Sequence, residues 1–297
     1  RHRPRHPRMN GRADALAALD TAVRHALATG DESGLDVLGY GEISLVVAID
    51  TPEGRIAAKR LPHFADEAAL GRYRSVFGEY LARLDELGVA TVPSELVRVP
   101  DLDDVIAYCV QPALDPACLA TNIVRTGDAA VLDRIVDTTT AAVTERVGLD
   151  AQLSNWALVD GRLVHLDVTT PMLTDETGAQ RADLELFLAS LPWALRPPVR
   201  AFLLDAILAT YHDPRRAVLD MVANLFKEGL ADLLPVAIDA ANARVDPPLT
   251  LGEVRSYYAR DARMWALLQR LRRVDRAWQR HVRRRPYPFL VPPDIER

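Results

Sequence analysis

The sequence predicts an α+β protein in two parts, a small half built on antiparallel strands followed by a larger, mainly helical half. Three observations carry this expectation. Short apolar runs of strand length, separated by turn residues, fill positions 35–61 and recur near 95–100 and 104–111. Helical spacing of apolar residues governs nearly everything after Pro112. The chain has 297 residues, 49% of them hydrophobic, enough to fill two cores. The expected division is a disordered extension over 1–10, an N-terminal part over 11–112 and a helical C-terminal part over 113–297.

Taken in order, residues 1–10 are basic and broken by proline, with Met9 as the expected natural start, and no apolar segment follows them as a secretory signal requires. Residues 11–29 read as an amphipathic helix ended by Gly30. Residues 35–61 read as three strands in hairpin succession, the second and third joined by the turn "TPEG", Thr51 to Gly54. A helix over about 66–87 carries Leu70, Phe77, Tyr80, Leu81 and Leu84 on one side and closes at Gly88. In the helical part the exception is "NWALVDGRLVHLD", a strand, an Asp160-Gly161 hairpin turn and a second strand.

Composition excludes several classes. No apolar run reaches the roughly 18 residues of a membrane span. The two cysteines, Cys109 and Cys118, suit neither a disulfide framework nor a four-ligand zinc site, and the expected location is the cytoplasm. A net charge of −5 is mild and makes nucleic acid an unlikely partner. Of 36 basic residues only Lys59 and Lys227 are lysines, the signature of a high-GC genome of the actinobacterial kind. A lysine kept against that bias marks a place where arginine does not serve.

Two clusters could carry chemistry. In "VLGYGEISLVVAID", Gly39 and Gly41 lie at a strand-to-strand turn where the backbone can approach a phosphate. Lys59, in the third strand, could reach a nucleotide's phosphates, and Glu79, in the following helix, could orient that lysine. The second cluster is "VGLDAQLSNWALVDGRLVHLDVTTP". There Asp150, Asn155 and Asp167 offer two carboxylates and an amide oxygen, suited to magnesium and to orienting a hydroxyl. Singly, each motif has a plainer reading: a hairpin turn, a solvated lysine or glutamate, or turn and strand-end hydrogen bonds.

All six in this order resemble the plan of the protein-kinase-like superfamily, and within it the aminoglycoside phosphotransferase and small-molecule kinase branch. The likeness runs by motif over roughly residues 30–175. It implies a bilobal protein-kinase-like fold and a kinase acting on a hydroxyl. By that resemblance Gly39, Gly41 and Ser44 cover the ATP phosphates, Lys59 touches the α- and β-phosphates and pairs with Glu79, and the strand Tyr108, Cys109, Val110, Gln111 is the adenine hinge. Asp150 is then the catalytic base or hydroxyl-orienting group, while Asn155 and Asp167 hold magnesium. Ser44 replaces a third glycine, Leu149 a histidine or glycine, Gln152 a second histidine and Val168 the usual partner after the metal aspartate. These departures touch the branch more than the acid and amide chemistry. About fourteen residues separate Asp167 from the helix expected near Ala182, with no Ala-Pro-Glu motif, too few for a signalling kinase's activation segment. A pseudokinase scaffold and a nucleotidyl transferase on the same fold are the alternatives.

The segment Arg255 to Arg285 reads as one long helix. Met264, Leu267, Leu271, Val274, Trp278 and Val282 recur at three- and four-residue steps, a stripe expected to pack on the helical part. Eleven arginines against Asp261 and Asp275 give the segment +9 in a chain of net −5. A solvated arginine face is one reading. The other is that arginines such as Arg263, Arg270 and Arg273 face an anionic partner or acceptor. The acceptor expected on that reading is a neutral or anionic small molecule or biosynthetic peptide, with polycationic aminoglycosides poor substrates.

Overall fold

The computed structural model describes residues 11–40, 45–100, 104–183, 188, 191–192, 195–202, 204–284 and 287. It is an α+β protein, with a five-stranded antiparallel sheet in one compact unit and most helices in another. The first unit holds the chain to Leu70, Pro93–Ala113 and the stretch from Arg276; the second holds Gly71–Val92 and Leu114–Asp275.

In the first unit, α1 (Arg12–Thr29) precedes β1 (Val37–Tyr40), β2 (Leu45–Thr51) and β3 (Gly54–Arg60). After α2 (Glu67–Glu86) come β4 (Glu95–Arg98) and β5 (Ala107–Pro112), and the sheet order is β1-β2-β3-β5-β4. The first strand is bulged, its register slipping between Val37 and Gly39. Leu16, Leu19, Val23 and Leu27, at helical spacing on α1, bury against Val47, Ile56, Ala58, Tyr108 and Val110 of the sheet. Each such side chain contributes about 1.5–3 kcal/mol on leaving water. This interface also buries a charge pair: Asp20 of α1 accepts from Arg60 Nε at 2.9 Å, Arg24 Nε at 2.7 Å and Tyr108 Oη at 2.9 Å.

The second unit contains α3 (Ala120–Arg125), α4 (Ala130–Ala142), the hairpin β6 (Trp156–Val159) and β7 (Arg162–His165), α5 (Arg196–Phe202) and α6 (Leu204–Tyr211). Then follow α7 (Pro214–Asn224), α8 (Leu234–Asn242) and the long α9 (Leu251–His281), which belongs to this unit as far as Asp275. The hairpin turns on Asp160 and Gly161, both at positive φ (50° and 76°), as a two-residue turn between twisted strands requires. α4, α7 and α8 pack on one another. α7 begins on Asp213, whose side chain accepts from Arg216 N, with Pro214 in the first turn. It is buried on every side from Ala217 to Asn224, so the polar Asp220 and Asn224 lie inside the unit.

Two expectations need correcting. The helix carrying Glu79 does not group with the strands. From Gly71 onward it belongs to the helical unit, where Tyr73 Oη donates to Thr169 O (2.8 Å) and Tyr80 Oη to Gly148 O (2.9 Å). The apolar stripe of α9 does not pack inward. Met264, Leu267, Val274, Trp278 and Val282 are 46–66% exposed, while the buried side chains of the helix are Val254, Gln269 and Arg272. Among the described residues no helix is long and apolar enough to cross a membrane. Neither cysteine is in a disulfide. Residues 1–10, Gly41 and Ser44 lie outside the described residues.

Candidate active site

The loop after α4 is fastened before it reaches its first acid. Gly148 N donates to Met172 O (2.8 Å) and Leu149 N to Tyr211 O (3.1 Å), while the Gly148 carbonyl takes the Tyr80 hydroxyl. A Cβ on Gly148 would stand 2.9 Å from Met172 Cβ and 3.1 Å from the Tyr211 carbonyl oxygen, so only glycine fits this approach. Leu149 is wholly buried, and Asp150, next in the chain, emerges half-buried.

Asp150 is then gripped by its backbone. Its carbonyl oxygen accepts from Asn155 Nδ2 (3.3 Å) and lies 2.9 Å from His165 Nε2. A carbonyl only accepts, so that imidazole nitrogen carries the proton. His165 has no exposed surface and meets Trp156 edge-on at 4.8 Å. Trp156 Nε1 in turn donates to Ala151 O (3.2 Å), and Leu166 N donates to Asn155 O (2.8 Å). The β6–β7 hairpin therefore stitches the loop to the residues after β7, where Asp167 accepts from Thr169 N (3.2 Å) and Thr169 Oγ1 (2.8 Å).

In this unit the Asn155 amide reaches the Asp150 backbone, and the Asp150 carboxyl feels the charge of Asp167. Burial pushes the Asp150 carboxyl up to about 7, and the negative charges of Asp220 and Asp167 add to the shift; the Gln152 amide and Lys227 oppose it. Burial, with the charges of Asp167 and Asp150, also pushes the Tyr80 phenol up. Among the described residues no three His, Cys, Asp or Glu side chains form a metal-holding group. Magnesium does not need one: it takes one or two protein oxygens and keeps its other positions for water and phosphate. The amide oxygen of Asn155 and the carboxylate of Asp167 are donors of the kind that ion takes.

Four contributors were not singled out from sequence, Gly148, His165, Asp220 and Tyr257, and a fifth, Lys227, was marked only as one of the two lysines. Asp220, 7% exposed, accepts from Tyr257 Oη (2.8 Å), Asn224 Nδ2 (3.1 Å) and Gln152 Nε2 (3.4 Å). Burial pushes it up to about 6, against the pull of the Tyr257 bond, Lys227 and Gln152. Lys227 Nζ donates to Gln152 Oε1 (3.0 Å), so both ends of that amide are held, two residues past Asp150. Glu228 accepts from Ser154 N (3.3 Å) and is raised by burial. Gly148 and His165 lie inside the second cluster itself, two residues before Asp150 and Asp167, whereas Asp220 and Tyr257 lie far along the chain and follow no spacing rule.

The remaining expected site residues are placed as follows. Glu79 engages the Arg181 guanidinium. In the strand unit, Lys59 sits in β3 between Val46 and Cys109, on the face opposite Ala58 and Arg60, and is half-buried. Gly39 has nothing within 4 Å of where a Cβ would stand, so packing does not explain it. Tyr108 is buried with its hydroxyl on Asp20, and Cys109 and Val110 pair with β3 on one side and β4 on the other. Gln111 pairs with Ala57 and its side-chain amide donates to Ser94 Oγ (2.9 Å).

The chain belongs to the family of unknown function DUF6206, whose model matches residues 18–276. No curated protein matches the sequence. Two crystal structures of the Mycobacterium tuberculosis PknI kinase domain are similar in form. One, of a point mutant, has a TM-score of 0.34 at 15% identity and covers 76% of this chain and 93% of that one. The other has a TM-score of 0.33 at 12% identity, covering 77% and 94%.

Proposed function

We propose that this DUF6206 chain is an ATP- and magnesium-dependent phosphotransferase that acts on a hydroxyl of a small molecule or biosynthetic peptide. The observation that carries the reading is the convergence of Asp150, Asn155 and Asp167, each on a differently anchored piece of backbone, with the Asp150 carboxyl in reach of the Asp167 charge. Bound ATP supplies the transferred γ-phosphoryl, and bound magnesium neutralises charge on its oxygens. The protein's part is positioning. Asp150 accepts a hydrogen bond from the acceptor hydroxyl and aligns it, and takes its proton as the new oxygen–phosphorus bond forms and the bond from the γ-phosphorus to the departing ADP breaks. Asn155 and Asp167 hold the metal. Lys227, kept beside Asp150 through Gln152, limits the negative charge that the site must carry.

In the strand unit, Lys59 is the group for the nucleotide phosphates, with Gly39 of β1 as its glycine partner; Gly41 and Ser44, which the resemblance adds, lie outside the described residues. An adenine edge would meet the chain past Gln111, because the backbone at Cys109 and Val110 is committed to pairing on both sides. The arginine excess of the Arg255–Arg285 segment, +9, favours a neutral or anionic acceptor over a polycation.

The test is transfer of label to an acceptor from an unbiased screen, run in parallel with γ-labelled and α-labelled ATP. Label from the γ position alone is the expected result. Label from the α position would make the chain a nucleotidyl transferase. Absence of both, with magnesium-dependent thermal stabilisation by ATP intact, would make it a nucleotide-binding scaffold.

A further inference from the structure

α9 inverts the usual rule for a surface helix. Its buried side chains are Val254, Gln269 and Arg272, with the Arg272 guanidinium 5.6 Å from the centre of the Trp265 ring, whereas five apolar residues face solvent. Met264 is 49% exposed, Leu267 58%, Val274 66% and Trp278 46%. A monomer gains nothing from such a face, since each exposed side chain leaves unspent the stabilisation its burial would give.

The spacing of the face is specific. Met264, Leu267, Leu271, Val274 and Trp278 follow one another at steps of three, four, three and four residues, the a and d positions of a heptad repeat. The intrachain contact uses other positions: in the same register Trp265 and Arg272 fall at b and Gln269 at f. The charges beside the seam are also ordered. The only two acids between Arg255 and Arg285, Asp261 and Asp275, both fall at e, and exposed Arg263 and Arg270 both fall at g. In a parallel two-stranded coil, g of one helix meets e of the next heptad in the other. That sets Arg270 against Asp275 of a second copy, twice by symmetry. An antiparallel pair sets g against g and brings Arg270 and Arg263 of the two copies to the same flank.

We propose that α9 is a dimerisation helix, its Met264–Trp278 seam packing in parallel on the same seam of a second copy of this chain. The seam is shorter than an isolated coiled coil needs, but here the helix is already formed within the chain, so pairing does not have to order it. The +9 of the segment opposes association through space. Physiological ionic strength, with a screening length of about 8 Å, removes most of that while leaving the contact pairs.

The experiment is sedimentation velocity on the full chain at physiological salt, over a concentration series. Wild type is expected to be a dimer that dissociates on dilution. Leu267→Glu with Val274→Glu should be monomeric at every concentration with an unchanged circular dichroism spectrum, because both positions are exposed. Arg270→Glu alone and Asp275→Arg alone should each weaken the dimer by about tenfold, two attractive pairs having become repulsive. A mixture of these two variants should regain wild-type affinity, since each chain then supplies the complement of the other. A wild-type monomer at its highest soluble concentration, or a dimer indifferent to the seam variants, would overturn the proposal. So would a chain that stays monomeric and binds anionic phosphatidylglycerol vesicles through the same seam.

Discussion

Two aspartates are buried almost equally in this protein, Asp20 in the strand unit and Asp220 in the helical unit, at 1% and 7% exposure, and they have opposite proton affinities. Burial raises both. Around Asp20 it is overcome by Arg60 and Arg24, whose charges and hydrogen bonds hold the carboxyl below its ordinary value. Around Asp220 the donors are a phenol and two amides, Asp261 adds like charge, and the carboxyl rises to about 6. Counter-charge, then, separates an acid that holds a fold from one that is poised for a site.

Five substitutions would break or sharpen that contrast. The largest effect is expected at Asp150, which shares the charge surplus of Asp220. Asp150→Asn should lower phosphoryl transfer by about 10²–10⁴-fold while binding ATP as wild type does. Wild-type turnover in that variant would remove Asp150 from the chemistry. Asp20→Ala should instead cost the fold. It strands Arg60, itself 8% exposed, without a counter-charge, and a loss of roughly 3–5 kcal/mol in urea unfolding is expected.

The third substitution concerns pH. Between its ordinary value of 3.8 and about 6, Asp220 holds in the folded state a proton that the unfolded chain has released. Its contribution is therefore present below the ordinary value and lost as pH rises through 6, on the order of 2–3 kcal/mol. Asp20, shifted down, contributes in the other direction: its share is present above 3.8 and disappears as pH falls through its folded value. Urea unfolding in EDTA at pH 5 and pH 7.5 should show wild type losing stability with rising pH and Asp220→Asn losing less. An unchanged slope in Asp220→Asn would count against the environment described for it.

The smallest effect sets two glycines against each other. Gly148→Ala must push into Met172 and the Tyr211 carbonyl and should cost about 1–3 kcal/mol of stability. Gly39→Ala meets nothing and should leave stability alone while weakening thermal stabilisation by MgATP. Equal stability losses at the two positions would mean that Gly39 is structural after all.

What the sequence revealed about fold and site followed the reach of local physics. The Asp160-Gly161 hairpin, the ends of α1 and α2 and the strand succession over 37–60 were legible because turn residues and periodicity act within a few residues. Asp150, Asn155 and Asp167 could be grouped because one hairpin joins them. Asp220 and Lys227 could not, since they reach Gln152 from 68 and 75 residues away, one on α7 and one in the turn after it, with no chemical label on either. The stripe on α9 was read correctly as a stripe and wrongly as a core face: periodicity marks a face but does not say which face turns inward.

The scarcity of lysine has a practical consequence. Lys59 lies in the strand unit and Lys227 in the helical unit, one to each. Reductive methylation with isotopically labelled formaldehyde would therefore install just two side-chain methyl signals besides that of the chain's amino terminus, one reporting on each unit. A titration with nucleotide or with an acceptor could be followed in both at once by magnetic resonance, without placing any foreign group in either.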